Sequence, residues 1–172
     1  DVAANLPSGL RIGAKSITIE ADIQQILDGQ LKATAIEVEQ LKTHGLSEDL
    51  SIKQITATNV TLDADNALII EKLNTVGYKQ QSIKLSQLIG TQLRYRQDSL
   101  SVDSLKMKAS TIDASVKIAL SSLALNEAEI KNLSKPTEMA YSIKTIEVKD
   151  LQTDIVGVAV NTASASNIVG DT

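Results

Sequence analysis

Ala33-Thr34-Ala35-Ile36-Glu37-Val38-Glu39-Gln40-Leu41 is the stretch on which the reading of this chain turns. At its centre Ile36 and Val38 alternate with Glu37 and Glu39. A period of two puts the apolar pair on one face of an extended strand and the carboxylates on the other. Ala33 and Leu41 flank that centre by three-residue steps, which break the alternation and predict bulges or bends that curve the sheet, or short connections between strands.

The same spacing returns along the chain. After Ala33, Ile36, Val38, Leu41 come Ile52, Ile55, Ala57, Val60; Leu85, Leu88, Gly90, Leu93; Val102, Leu105, Met107, Ser110; Leu120, Leu123, Leu125, Ala128; and Ile143, Ile146, Val148, Leu151. From the second position of one copy to the next the separations are 19, 33, 17, 18 and 23 residues. The long gap has room for a degenerate copy near Leu68-Ile69-Ile70. Strands of this kind are half-buried with one wet face, and the flanking bends curve their sheet.

Pro7 and Pro136 lie outside the copies, as proline should in a sheet, and Asp28-Gly29, His44-Gly45 and Asp63-Ala64-Asp65-Asn66 are turn signals. Ile23, Ile26 and Leu27 have helical spacing ahead of Gly29, which predicts one or two helical turns. Ala67 to Leu73 fits a buried strand or a brief helix equally. The small polar residues from Asn161 onward predict a flexible tail over 161–172. The fold expected is mainly β: residues 1–172 form a single repetitive segment, an elongated, curved, antiparallel-rich sheet with at most short helical turns.

Of 172 residues, 42% are hydrophobic and 22% charged, enough apolar content for a folded core. Aromatic residues are only 2%, three Tyr with no Phe or Trp, so any apolar face consists of Ile, Leu, Val and Ala. Such a face suits a stacked β interior or hydrocarbon chains and poorly suits sugars or bases. The net charge of −4 has no basic run behind it, which argues against nucleic acid as a partner. No cysteine is present, so disulfides and thiolate sites are excluded. No apolar run approaches the length of a membrane span, and the start at Asp1 without Met is expected to mark processing or a boundary cut within a longer protein.

No set of residues offers a nucleophile, a base and an orienting group, so the chain is not expected to be an enzyme or to carry a cofactor or metal. His44, the single histidine, stands in a turn signal without a nucleophile elbow nearby. Asp63, Asp65 and Asn66 lack the central Gly and distant Glu of a calcium loop and fit a hairpin turn. Glu37 and Glu39 share the wet face of a strand, and Arg94-Tyr95-Arg96 reads as a strand with Tyr95 inward and two solvated arginines.

The run Ile23-Gln-Gln-Ile-Leu-Asp-Gly-Gln-Leu-Lys-Ala-Thr-Ala-Ile-Glu-Val-Glu-Gln-Leu-Lys-Thr-His-Gly45 resembles a stretch of bacterial AsmA-like envelope proteins, of the TamB and YdbH type. In these, a short apolar segment ending in Gly precedes a strand of the same apolar spacing and a Gly-containing turn. Leu6-Pro7-Ser8-Gly9-Leu10-Arg11-Ile12 is similar to the lead-in of such segments. The resemblance implies a β-taco-like groove in the periplasm, part of an inner-membrane-anchored protein, that carries phospholipid acyl chains between membranes.

On that reading phospholipid or another acyl-chain lipid is the partner, alongside other envelope proteins. Ile36, Val38, Ile55, Ala57, Leu88, Leu105, Met107, Leu123, Leu125, Ile146 and Val148 then line the groove. The alternative is a structural or adhesive β-solenoid or sandwich in which the same residues pack against each other in a closed core.

Overall fold

The computed structural model describes residues 2–5, 10–22, 24, 31–45, 49–63, 65–113, 116–155 and 158–171. Eleven strands follow one another: β1 Val2–Asn5, β2 Arg11–Ala14, β3 Ser16–Glu20, β4 Leu31–His44, β5 Leu50–Leu62, β6 Leu68–Gln80, β7 Ile83–Arg96, β8 Ser99–Asp113, β9 Lys117–Lys131, β10 Ala140–Thr153 and β11 Ala159–Asp171. A 3₁₀ turn at Pro136–Glu138 precedes β10. Each strand from β4 to β11 pairs antiparallel with the next. β2 and β3 lie end to end along β4, and β1 pairs with β2. The sheet is an unclosed meander with β11 at one end. Extensive contacts join only strands adjacent in it, so it is one layer.

Local chemistry sets the reversals. Gln97 and Asp98 both have positive φ, 45° and 67°, the backbone of the two-residue turn that matches strand twist, and they join β7 to β8. Between β5 and β6 the Asp63 carboxylate accepts hydrogen bonds from the amides of Asp65 and Ala67, each 2.9 Å long. Asn66 takes positive φ there, giving the hairpin turn expected of this cluster.

Every strand from β4 to β11 is bent twice. Ladder pairing is interrupted along two lines that cross the sheet. One line runs through Lys15, Gln40, Lys53, Gly77, Ser86, Ala109, Ser121, Asp150 and Asn161. The other runs through Thr34, Asn59, Glu71, Gln92, Asp103, Glu127, Lys144 and Asn167. In each strand the two positions are six residues apart. Each strand also has one residue of positive φ on a line, alternating between lines: Gln40, Gly77, Ala109 and Asp150 on the first, Asn59, Gln92, Glu127 and Asn167 on the second.

These lines are convex corners, and they account for the three-residue steps of the sequence pattern. At a corner two successive side chains both point out of the bend, so inward positions run 33, 36, 38, 41 instead of keeping period two. Corner residues from Thr34 and Gln40 to Lys144 and Asp150 are accordingly exposed, with Gly77 and Gln92 half-buried. Left-handed backbone costs a non-glycine residue about 1–2 kcal/mol. Side chains compensate where the ladder is lost: Asn59 donates to Glu71, Lys144 to Glu127 at 2.5 Å, and Ser121 to Asp150 at 2.7 Å.

The product is a trough whose floor, six residues wide, measures about 20 Å between corners, with a wall on either side. Its accessible surface of 11118 Å² exceeds the ~8,200 Å² of a compact 18.4 kDa domain by about a third. Among the described residues no side chain is less than 2% exposed. Among the described residues, apolar side chains are shielded by their neighbours within one layer and have no second layer above them.

The span 161–172, expected to be a flexible tail, pairs with β10 through Asp171 as part of β11. Of the ambiguous Ala67 to Leu73, the residues from Leu68 onward form the start of β6, and the degenerate copy is complete there as Ile70, Leu73, Thr75 and Tyr78. The helical turns expected over Ala21 to Leu27, and the Asp28-Gly29 turn, fall largely outside the described residues. Among the described residues no helix is long and apolar enough to cross a membrane.

The apolar trough as candidate functional site

The eleven predicted lining residues all lie on the floor, in two columns that run along the trough. Cross-strand register joins Ile36, Ala57, Leu73, Gly90, Leu105, Leu125 and Ile146 into one column. It joins Val38, Ile55, Thr75, Leu88, Met107, Leu123 and Val148 into the other. β3 extends both columns at one end with Ile19 and Ile17, and β11 extends them at the other with Ala165 and Ala163. Each member stands directly across from the next, the closest side-chain relation a sheet provides.

Leu73, Thr75 and Gly90 belong to the floor and were missed as lining. In β6 the run Leu68-Ile69-Ile70 obscures the alternation: Ile69 pairs with Thr61 and Arg94 and takes the outer face. Adding Leu73 splits the 33-residue gap between Ile55 and Leu88 into 18 and 15, close to the other separations. At Gly90 the floor is thin, and an added Cβ would lie 2.8 Å from Leu93 Cδ1, which leans over it from the wall.

The two walls differ. Beyond the second corner line the inner positions are apolar: Ala33, Val60, Ile70, Leu93, Val102, Ala128 and Ile143 form a column in register. Beyond the first corner line, Thr43, Tyr78, Gln80 and Ser110 interrupt Leu41, Ile52, Leu85 and Leu120. The Tyr78 hydroxyl donates to Gln80 Oε1 at 2.5 Å. The hydroxyls of Thr43, Thr75 and Ser110 are buried with no hydrogen-bond partner, in residues 5–7% exposed. Near β3 a cavity of about 200 Å³ opens against Ile19, Ala33, Ile36, Val60, Leu62 and Leu68.

The charges lie elsewhere. Glu37 accepts from Gln54 at 2.5 Å, and Glu147 pairs with Lys149 at 3.1 Å on the outer face. Lys15, at the break between β2 and β3, reaches Glu39 at 3.2 Å, and the Ser16 hydroxyl donates to the same carboxylate at 3.1 Å. Hydrogen bonds from Lys15, then from Ser16, hold the Glu39 carboxyl below its usual range. His44 Nδ1 lies 2.9 Å from Asp49 Oδ2 in an exposed pair. Arg96 pairs with Asp65 at 2.8 Å, and Tyr95 pairs in register with Leu68 and Leu100 at the lip of the apolar wall.

The arrangement presents aliphatic surface along one face, interrupted by Thr75 on the floor and by the polar residues of one wall, and ion pairs on the other. Compared with protein-family models, curated proteins and solved structures, the chain matches none.

Proposed function

We propose that the trough binds phospholipid acyl chains and lets them move along its floor, as a segment of a conduit between the membranes of a bacterial envelope. The observation that carries this reading is the pair of aliphatic columns, in register from β3 to β11 and open on one side. Hydrocarbon in contact with them loses water, and the hydroxyl of Thr75, their one polar member, is already buried without a partner, so covering it strips no further hydrogen bond. The ten strands of the sheet path, with nine spacings of about 4.8 Å between them, give a length of about 43 Å, enough for a section of conduit and too short to bridge two membranes. The charged outer face and the corner lines would keep such a segment in water. The proposal carries with it a periplasmic setting within an inner-membrane-anchored protein, and a binding role without bond chemistry.

The closed structural module competes with this reading, since the same residues could pack against one another. The single layer and the large accessible surface favour the open trough. Native mass spectrometry of the purified chain, produced in a bacterium and freed of detergent, separates the two when the lipids of the same sample are extracted. Bound phospholipid is the expected result. A lipid-free chain that also takes up no fluorescent phospholipid would contradict the proposal.

A further inference from the structure

The two walls of the trough differ on both their faces. Inside the second wall, a further row runs above the apolar column toward the lip: Leu62, Leu68, Tyr95, Leu100 and Ile130, in register. The Tyr95 hydroxyl is the one polar side-chain group in that row. The cavity near β3 opens on this side, against Val60, Leu62 and Leu68. Inside the first wall stand Thr43, Tyr78, Gln80 and Ser110, and the hydroxyls of Thr43 and Ser110 are buried without a partner.

The outer face of the first wall is basic. The described residues over 41–53 and 77–86 include Lys42, Lys53, Lys79 and Lys84, all exposed, and one carboxylate, Asp49, which is paired with His44. Among the described residues none of these four lysines has an ion-pair partner.

Lys79 and Lys84 stand directly across from each other on β6 and β7, on either side of the Gln81-Ser82 reversal at the rim. Like charges in that relation destabilise a sheet. Among the described residues this is the one in-register pair of like formal charges in the whole ladder. Each ammonium group is carried on a flexible four-carbon stem, which can bring it up to the rim. An anion held there between the two would relieve their repulsion.

We infer that the lipid lies across the trough, with an anionic phosphate head group over the rim of the first wall at Lys79 and Lys84 and its acyl chains running over the floor to the second wall. The inference rests on the acyl-binding reading and adds the charge and direction of the ligand. Ester linkages then fall against the polar inner face of the first wall, where serine and threonine hydroxyls can rotate to donate to them. Methyl ends fall against Leu68 and Leu93, where no ester oxygen would find a donor.

Tyr78 on β6 and Tyr95 on β7 lie inside opposite walls, and the chain has no tryptophan, so Tyr78→Trp and Tyr95→Trp are single-indole probes of the two sides. Each is mixed with phosphatidylglycerol brominated either near the ester ends of its acyl chains or near their methyl ends. The indole at 78 is expected to be quenched more by bromine near the ester, and the indole at 95 more by bromine near the methyl end. Quenching that ignores the position of the bromine, or the reverse preference, would overturn the inference and leave acyl binding standing. No quenching of either probe would remove the acyl-binding reading and the inference with it. Replacing both lysines, Lys79→Gln with Lys84→Gln, is expected to weaken phosphatidylglycerol binding about 10- to 30-fold and zwitterionic phosphatidylcholine binding less than about twofold. An equal loss for the two lipids would also overturn the inference.

Discussion

Leu105→Glu is expected to weaken phospholipid binding by more than about 100-fold while the chain stays folded. Leu105 sits mid-floor, paired with Gly90 on one side and Leu125 on the other, and is half-buried. A carboxylate there would lie against an acyl chain with no partner, and an unpaired charge in hydrocarbon costs several kcal/mol. In the empty trough the same carboxylate can turn toward water, because no second layer of described residues covers it. The variant therefore separates the open trough from the closed core, in which an unpaired buried charge unfolds the protein. Titration with a fluorescent phospholipid, alongside circular dichroism, reads both quantities. Lys106→Glu, one residue away on the outer face, should bind as the wild type does.

Gly77→Val is expected to lower stability by about 3 kcal/mol, or about 6–12 °C in melting temperature for a domain of this size. Gly77 holds φ at 69° on the first corner line, a conformation that a β-branched residue resists. An added Cβ would also stand 2.9 Å from Lys53 Cβ on the neighbouring strand, a contact between stem atoms that no rotamer change relieves. At Ala109, φ 44° on the same line, glycine should have the opposite sign and leave stability equal or raised by up to about 1 kcal/mol. Thermal unfolding of the two variants tests whether the corners depend on left-handed backbone. A neutral Gly77→Val would show that they do not.

Much of this fold is written in one local pattern. Alternation at Ile36-Glu37-Val38-Glu39 marks the floor because period two is a direct consequence of the extended backbone. The three-residue steps mark the corners because a convex bend turns two successive side chains outward. Residues that fit the pattern in apolar type, such as Leu105 and Met107, could be placed on the floor from sequence.

Thr75 could not. A threonine at a floor position reads as a polar break, and its parity emerges only from pairing with Ile55 and Leu88. β11 was hidden for a related reason. Ala163 and Ala165 contribute little hydrophobic signal among serines, and the strand exists because β10 supplies a ladder for it. The left-handed corner residues include Gln, Asn, Gly, Ala, Glu and Asp, so residue type alone does not mark them. What they share is a place on a corner line, six residues from the other corner of the same strand.

The central claim is that the inner face touches acyl chains, and the lack of tryptophan in the chain provides a clean probe. Leu105→Trp places an indole on the floor, and Lys106→Trp places one on the outer face. Each is mixed with phospholipid brominated along its acyl chains, and the fluorescence is followed. Strong quenching of the residue at 105 with little at 106 is the predicted result. Equal quenching at both positions, or none at either, would contradict an acyl-binding trough.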